Sequence, residues 1–363
     1  MTYTYEAYNG NLLTTTYNNG VVISNEYDEL DRIIAIKING VTKYKYSYNG
    51  NGNLSELSDI DNNITICYNY DINNRLISVW QTDGGDVAYT YYKYDGKNRV
   101  SEYNCVMQTW GPEFSHNYTY TYGSQDDQLE EIRVNDDTIN YTYDSVDRLT
   151  SKAVSATGIN LQQLYYYNDG EYMTNQISGL YVKLNNVTSK MFGYTYDAIG
   201  NITQITVGNS TESVYEYDAQ GQLKSETIAS QNLKYVYTYD NYGNIQTVTK
   251  KNLSTDAEID TYNYTYGNSQ WKDRLTAFEG KTFVYDNIGN PTTYYNGGTD
   301  ADKYTFTWQK GRELASAQKN GVTTTYTYGA DGLRIAKSSG YEFFYSDGRL
   351  VRQLWAYGVP LSS

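Results

Sequence analysis

The sequence has few of the residues that most often carry out enzyme chemistry or bind metals. Its 363 residues include one histidine, two cysteines and three prolines. His116 has no second histidine with which to share a metal or a proton, so we expect it in a loop or at a strand edge, without a functional role. Cys67 and Cys105 are expected to be two buried thiols in strands, and a disulfide between them would require those strands to be neighbours. No Cys-x-x-Cys, His-Glu-x-x-His or phosphate-loop pattern occurs.

Positive charge and long apolar runs are also scarce. Lys and Arg number 28 against 42 Asp and Glu, which leaves a net charge of −14. Nucleic-acid binding needs a basic surface, so no nucleic-acid partner is predicted. No run of 18 apolar residues occurs, and no membrane span is therefore predicted. The opening residues MTYTYEAYNG already carry the tyrosine pattern of the rest of the chain, so no signal peptide is expected.

Tyrosine, by contrast, is abundant and recurs in a fixed pattern. The chain has 45 tyrosines, and the stretch YTYDAIGNITQI shows the arrangement in which many of them occur. Seven clear copies of aromatic-x-Tyr-Asp begin at Tyr68, Tyr92, Tyr141, Tyr194, Tyr215, Tyr237 and Phe283. Weaker copies bring the total to about sixteen repeats, most of them spaced by 19 to 24 residues. Such a period indicates a repeat architecture, and we predict one continuous array over residues 1–363 with no separate toxin or protease domain.

Each repeat has the pattern of a β-hairpin. In Tyr194-Thr195-Tyr196 the two rings point to one face of a strand and the threonine to the other. The Asp-x-x-Gly that follows is typical of a turn, because the carboxylate can accept backbone N–H bonds and glycine adopts positive φ freely. Asn-Gly and Asp-Gly pairs between repeats are the strongest short-range hairpin signal. These pairs are Asn19-Gly20, Asn39-Gly40, Asp83-Gly84 and Asn320-Gly321. The sequence therefore predicts an all-β fold of tandem hairpins.

We interpret the repeated positions as structural. An active site interrupts a repeat, whereas these aspartates follow it, so we expect them to stabilise turns. Equivalent tyrosine rings of successive hairpins are expected to lie in register and to stack as a ladder. The structural repeat positions are Tyr194, Tyr196, Asp197, Gly200, Tyr215, Tyr217, Asp218, Gly221, Tyr237, Tyr239, Asp240, Gly243, Tyr285, Asp286 and Gly289. No catalytic residue, metal ligand or cofactor is predicted.

The pattern Tyr-x-Tyr-Asp-x-x-Gly-(Arg/Asn)-(Leu/Ile), repeated along essentially the whole chain, resembles the RHS/YD-repeat family. The family includes bacterial Rhs toxins, the B and C components of Tc toxins, wall-associated proteins and teneurins. The resemblance implies a long antiparallel sheet that spirals into a hollow shell, or part of one, around a polypeptide. Toxin-bearing members carry an Asp-Pro motif for self-cleavage. Here Gly111, Asn290 and Val359 precede the three prolines, so neither self-cleavage nor a toxin is expected within this chain.

The predicted function is a non-enzymatic structural shell, or a fragment of one, that encloses or scaffolds a polypeptide such as a toxin domain. The expected partners are that polypeptide or further repeats of a longer chain, and the expected location is secreted or at a bacterial cell surface. The alternative is a cell-surface adhesion module that binds glycans through its tyrosines. Sugar-binding repeats carry periodic tryptophans, however, and the five here are not periodic.

Two weaker alternatives concern acidic residues. A pair of carboxylates could form a glycosidase couple, but the aspartates sit at repeated structural positions. The stretches DIDNN from Asp59 and NGNGN from Asn49 faintly resemble calcium-binding loops. Neither completes an EF-hand loop, which needs a central glycine and a late glutamate.

Overall fold

The computed structural model describes residues 1–82, 87–108, 114–124, 127–168, 170, 173–346 and 348–355. These residues are almost entirely β-structure, which confirms the predicted fold class. Two single-turn 3-10 helices, Ala229–Gln231 and Asp300–Asp302, interrupt the strands. Among the described residues no helix is long and apolar enough to cross a membrane.

The strands follow one another along the chain with short turns between them. They are β1 (Thr2–Tyr5), β2 (Leu12–Thr16), β3 (Val22–Tyr27), β4 (Ile33–Ile38), β5 (Val41–Tyr48), β6 (Leu54–Asp59), β7 (Ile64–Tyr70), β8 (Leu76–Thr82), β9 (Val87–Tyr94), β10 (Val100–Gln108), β11 (Phe114–Tyr122), β12 (Leu129–Val134), β13 (Asp137–Tyr143), β14 (Leu149–Ala156), β15 (Ile159–Tyr167), β16 (Ile177–Leu184), β17 (Val187–Tyr196), β18 (Ile202–Val207), β19 (Ser210–Tyr217), β20 (Leu223–Ile228), β21 (Leu233–Tyr239), β22 (Ile245–Asn252), β23 (Glu258–Thr265), β24 (Ala277–Phe278), β25 (Lys281–Thr282), β26 (Val284–Tyr285), β27 (Pro291–Tyr295), β28 (Lys303–Gln309), β29 (Glu313–Lys319), β30 (Val322–Tyr328), β31 (Arg334–Lys337), β32 (Tyr341–Ser346) and β33 (Arg349–Trp355). Strands β1 to β25 form a long sheet of 25 strands that is not closed, and β26 to β33 form a sheet of eight.

Pairing is antiparallel between strands that are neighbours in sequence, and each Tyr-Asp hairpin carries the same irregularity. In β17 and β18, Thr195 pairs with Gln204 but Tyr196 pairs with Ile202, so one extra residue, Thr203, forms a β-bulge. The same register shift precedes the tyrosine of the hairpins β3–β4, β5–β6, β7–β8, β13–β14, β19–β20 and β21–β22. Bulges bend a strand and raise its local twist, so the repeat imposes a regular bend on the sheet at each tyrosine.

Two of the three predicted Asn-Gly turns have the backbone geometry that this pair favours, whereas at Asn19-Gly20 only the glycine has positive φ, at 90°. Asn39 and Gly40 both have positive φ, at 50° and 82°, and Asn320 and Gly321 repeat this at 50° and 78°. Two successive residues with positive φ define the type I′ turn that matches the twist of a hairpin. The predicted Asp83-Gly84 turn lies outside the described residues.

The chain clusters into two compact units. Unit 1 consists of residues 1–117 and 281–363, and unit 2 of residues 118–280. The single continuous array expected from the sequence stays a prediction.

Buried apolar side chains are concentrated in unit 1. All nine that are fully buried among the described residues belong to it, and Cys105 and Met107 are the most enclosed. In unit 1, repeats from the two ends of the chain are in contact. For example, the side-chain amide of Asn62 donates a hydrogen bond to the Tyr328 carbonyl at 2.8 Å. In unit 2 the described part contains no fully buried apolar side chain. The described part of unit 2 is thus stabilised by hydrogen bonds and half-buried side chains, without an enclosed core among those residues.

Two predictions about single residues need correction or qualification. His116 lies within β11, half-buried, because the strand begins at Phe114, upstream of the Tyr-Thr-Tyr alternation. Cys67 and Cys105 form no disulfide, since they lie in β7 and β10 and these strands are not paired. Cys105 is buried as expected, whereas Cys67 is only half-buried.

Candidate functional site

The aspartate of each repeat is bonded to its own turn. Asp197 Oδ1 accepts from the backbone N–H of Ile199 at 3.0 Å and of Asn201 at 2.9 Å. Its Oδ2 accepts from the Asn201 amide at 3.0 Å. The backbone N–H of Gly200 donates to the Asp197 carbonyl at 3.2 Å, and Gly200 has a φ of 93°. One carboxylate therefore satisfies donors that would otherwise lack a partner inside the hairpin.

The same turn recurs with Asn or Arg at its last position in most repeats, and with Gln222 in the Asp218 turn. Equivalent side-chain to backbone bonds are formed by Asp28, Asp71, Asp95, Asp144, Asp218, Asp240 and Asp286. In the Arg type, Arg32 Nε donates to Asp28 Oδ2 at 2.8 Å. This bond, strengthened by backbone N–H donors, lowers the pKa of Asp28, and the Asn244 amide does the same for Asp240. The lowered pKa favours the ionised, hydrogen-bond-accepting form of Asp28 and Asp240, the opposite of what a general acid needs.

In most repeats the tyrosine just before the turn links its repeat to the previous one. The hydroxyl of Tyr217 donates to the Ile202 carbonyl at 2.9 Å, and that of Tyr239 donates to the Leu223 carbonyl at 2.7 Å. The acceptor is the first residue of the strand that leaves the preceding turn. The same bond is formed by Tyr27, Tyr48, Tyr70, Tyr94, Tyr143, Tyr167 and Tyr196. Trp308 uses its indole N–H in the same way, donating to Pro291.

This hydroxyl bond replaces the ring-to-ring ladder that we expected. In these fully described repeats, no ring contact joins Tyr196 to Tyr217 or Tyr217 to Tyr239. Each repeat contributes two strands, so equivalent rings are separated by about two strand spacings, or ~9.6 Å. Aromatic pairs need ring centroids within about 4.5–7 Å. The tyrosines therefore link repeats through hydroxyl groups and backbone carbonyls.

Arginine adds a second link in the repeats that carry it. The guanidinium of Arg32 lies 4.4 Å from the ring centroid of Tyr48, one repeat further along. Arg75 lies 4.5 Å from the ring of Tyr94, and Arg148 lies 4.3 Å from that of Tyr167. Each guanidinium is thus held between its own aspartate and the next tyrosine, a geometry suited to cation–π attraction. The sequence pattern contained this signal as an Arg four residues after the Asp.

The strands of unit 2 have one face richer in aromatic and aliphatic groups than the other. Tyr194 and Tyr196 are half-buried, whereas Thr195 between them is exposed. Tyr215 and Tyr237 repeat this alternation around Glu216 and Thr238. Burial, and then the Glu226 carboxylate that accepts the Tyr237 hydroxyl at 2.6 Å, raise the pKa of Tyr237. We call this surface the tyrosine face of unit 2; it combines tyrosine and aliphatic side chains with the charged side chains of Glu226 and Lys250, which pair with Tyr235, and it is only partly shielded from solvent.

The predicted repeat positions do not converge on one point. Asp197, Asp218, Asp240 and Asp286 each lie in a separate turn and are bonded within it. Among the described residues, no group of three or more His, Cys, Asp or Glu side chains comes together in a way that could hold a metal. The Asn49 side chain of the suggested calcium stretch accepts from the backbone of Asn51 and Asn53. The arrangement stabilises a sheet and presents a surface.

A buried polar cluster in unit 1 was not foreseen from the sequence. Lys310 Nζ donates to the Tyr44 hydroxyl at 2.6 Å and lies 5.1 Å from the centre of that ring. Glu313 Oε2 is 3.8 Å from the same ammonium, and burial raises the pKa of Glu313. The cluster joins β5 to the turn before β29, 266 residues apart. It connects early and late repeats within unit 1.

Comparison with known proteins agrees with this repeat chemistry. A family model described as RHS Repeat matches residues 217–255, which contain the Tyr217 and Tyr239 turns. The chain is 30% identical over 257 residues to the tRNA nuclease WapA of Bacillus subtilis strain 168. It is also 30% identical over 301 residues to the tRNA3(Ser)-specific nuclease WapA of Bacillus spizizenii. The chain belongs to the RHS-repeat family.

These alignments cover 67% and 78% of the RHS-repeat chain but 10% and 12% of the two relatives. The chain thus spans about a tenth of the length of the curated relatives it matches. Among solved structures, the crystal structure of TcdB2-TccC3-Cdc42 aligns with 92% of this chain at 14% identity and a TM-score of 0.45. The alignment covers 23% of the chain in that structure. The Photorhabdus luminescens Tc holotoxin pore aligns with 93% of this chain and 23% of its own chain, at 14% identity and a TM-score of 0.43.

Proposed function

We propose that this RHS-repeat chain is a non-enzymatic structural segment of a shell that encloses or scaffolds a polypeptide. The observation that carries the proposal is the tyrosine face of unit 2. Its rings are half-buried, and no apolar side chain among the described residues of that unit is fully buried. A sheet face rich in aromatic and aliphatic side chains gains stability when another layer covers it, and an enclosed chain would supply such a layer.

The polar chemistry of the repeats supports a structural role. The aspartates are bonded to their own turns and the tyrosine hydroxyls to neighbouring repeats, as Asp218 and Tyr217 illustrate. Both relatives are named nucleases, and this chain corresponds to about a tenth of each. We propose that the segment shared with them is repeat scaffold, that it works with further repeats of a longer chain, and that it is secreted or located at a bacterial surface.

A protease-protection experiment tests enclosure. An unfolded passenger peptide is fused to the chain, and its half-life under dilute protease is compared with that of the passenger mixed with the chain in trans. We expect severalfold slower cleavage in the fusion. Tyr194→Glu places a charge on the tyrosine face and should shorten the half-life, whereas the matched Thr195→Glu on the exposed face should not. Equal cleavage of fused and unfused passenger would contradict enclosure.

Glycan adhesion is the competing function, because half-exposed tyrosine rings can stack on sugars. The double variant Tyr217→Ala and Tyr239→Ala distinguishes the two, with melting and glycan binding measured on the same sample. A lower melting temperature without selective loss of glycan binding supports the scaffold. Intact folding with lost glycan binding would favour adhesion, and cleavage of tRNA by the purified chain would favour an enzyme.

A further inference from the structure

Unit 1 encloses a cavity of about 230 Å³ between early and late repeats. Strands β6 to β9 form one wall through residues such as Leu57, Ile64 and Val79. The late repeats form the opposite wall through Ile335 and Phe343. For scale, a cavity of about 150 Å³ lined by apolar side chains holds a benzene molecule, so this space can take a ring with a short substituent.

The charged side chains that line the cavity are both acidic. Asp59 and Asp331 contribute carboxylates, and none of the described lining residues is Lys, Arg or His. Aromatic rings of Tyr68 and Tyr345 also line it. Carboxylates combined with aromatic faces form an environment that attracts an organic cation, through charge and through cation–π contact.

Asp59 is the buried member of this pair and has acceptor capacity to spare. It is 2% exposed. Its Oδ1 accepts from the Asn62 backbone N–H at 3.3 Å and its Oδ2 from the Asn62 amide at 2.8 Å. A carboxylate offers about four lone-pair positions, so two bonds leave about half of them open. A buried carboxylate is stabilised when a cation joins it.

The nearby ammonium of Lys310 does not occupy this position. Burial lowers the pKa of Lys310, the bond to Tyr44 raises it, and Asp59 adds a smaller contribution to the net rise. Yet Lys310 Nζ donates to Tyr44 and makes its ion pair with Glu313, and it is not among the residues that line the cavity. Lys310 forms its ion pair with Glu313 and none with Asp59, whereas Asp59 lines the cavity.

Part of the cavity lining comes from the turn that follows β30. Asp331 and Gly348 are exposed, in contrast to the half-buried and buried residues deeper in the cavity. Asp331 Oδ1 accepts from the Leu333 backbone N–H at 2.9 Å. An exposed carboxylate that lines the cavity of a protein with a net charge of −14 favours the approach of cations. Deeper inside, burial, with smaller contributions from Tyr70 and Asp331, raises the pKa of Tyr68 to about 12, so its hydroxyl stays neutral near pH 7.

We propose that this cavity binds a primary ammonium group on a small apolar stem, with the ammonium at Asp59 and the stem against the aliphatic and aromatic walls. Either a free organic amine or a lysine side chain of a polypeptide supplies this chemistry. The site is independent of the tyrosine face of unit 2, so it stands or falls separately from the proposed enclosure.

Isothermal titration of the intact chain with benzylamine and with benzyl alcohol tests the proposal. The two probes share a ring and differ in charge, so we expect benzylamine to bind at least about tenfold more tightly, as suits a hydrogen bond to a charged group. N-acetyl-lysine methylamide distinguishes the sources. Binding comparable to benzylamine indicates a lysine of a polypeptide, and binding of benzylamine alone indicates a free amine.

Three variants locate the site. Asp59→Asn keeps an acceptor for Asn62 and should abolish the preference for benzylamine over benzyl alcohol. Asp61→Asn makes the same charge change outside the cavity, on a residue paired with Lys43, and should leave that preference intact. Ala88→Leu reduces the cavity volume and should weaken the binding of both probes. This variant tests the location of the site if Asp59→Asn fails to fold. Equal affinities of the native chain for the two probes, or native benzylamine binding by folded Asp59→Asn, would overturn the proposal.

Discussion

The hydroxyl of Tyr217 crosses the boundary between two repeats to reach the Ile202 carbonyl at 2.9 Å. Tyr217→Phe removes this bond and keeps the ring. We expect the free energy of unfolding to fall by about 0.5–1.5 kcal/mol, the usual net contribution of a neutral hydrogen bond. Urea denaturation followed by circular dichroism measures the change.

Tyr242→Phe is the matched control for that substitution. Tyr242 lies at the tip of the next turn and is 66% exposed. Its hydroxyl forms none of the inter-repeat bonds, so removing it should leave the unfolding free energy unchanged. Equal losses in the two variants would show that the hydroxyl bonds do not link the repeats.

At the scale of the hairpin, the third residue after the aspartate must adopt a left-handed backbone conformation. Gly221 has a φ of 80°, and a Cβ built there would meet no atom within 4 Å. Other repeats place Asn74 and Asn98 at this position, with φ of 60° and 65°. Backbone conformation, and not the space available for a side chain, therefore limits which residues fit this position. Asn adopts the left-handed conformation more readily than most residues.

Substitutions of Gly221 test this account of the turn. Gly221→Ala should lower the free energy of unfolding by about 1–2 kcal/mol, the cost of a left-handed residue with a Cβ. Gly221→Asn should lose clearly less, because the repeats with Asn74 and Asn98 already use that residue. Chemical denaturation midpoints of the two variants give the comparison. A larger loss for Asn than for Ala would contradict the conformational explanation.

At the scale of the whole molecule, the half-buried tyrosines make the folded state less stable at alkaline pH. Burial raises the pKa of Tyr68 to about 12, and burial also raises the pKa of Tyr196, Tyr217 and Tyr239 above the ordinary 10.0. Since the folded pKa is raised, the unfolded chain loses these protons first as pH rises. The contribution to stability is complete below pH 10 and is lost as pH rises through the folded values.

Melting temperatures between pH 8 and pH 12 should therefore hold steady and then fall steeply above about pH 10, the pKa of an ordinary tyrosine. Tyrosinate absorbance, recorded in the same samples, should increase together with the loss of β-structure. Full tyrosinate absorbance in a chain that keeps its circular dichroism spectrum would mean that the hydroxyl bonds contribute little.

Local features of the fold could be predicted from the sequence because they depend on a few adjacent residues. The alternation of aromatic and polar residues in Tyr194-Thr195-Tyr196 predicts the strand, and Asp197 followed by Gly200 predicts the turn. The sixteen-fold recurrence of this pattern made an all-β array of hairpins the expected fold. The hydroxyl bonds were within reach too, since a half-buried tyrosine needs a partner and the previous strand offers a carbonyl.

Tertiary structure alone decided how the hairpins meet one another. The ring ladder failed because two strands separate equivalent tyrosines, a distance set by sheet spacing and not by sequence period. Lys310 meets Tyr44 across 266 residues, and the cavity beside Asp59 is formed by strands from both ends of the chain. Such contacts join residues that lie far apart in the chain, so no local pattern pairs them. A repeat pattern encodes each hairpin, because the residues of a hairpin are adjacent in sequence.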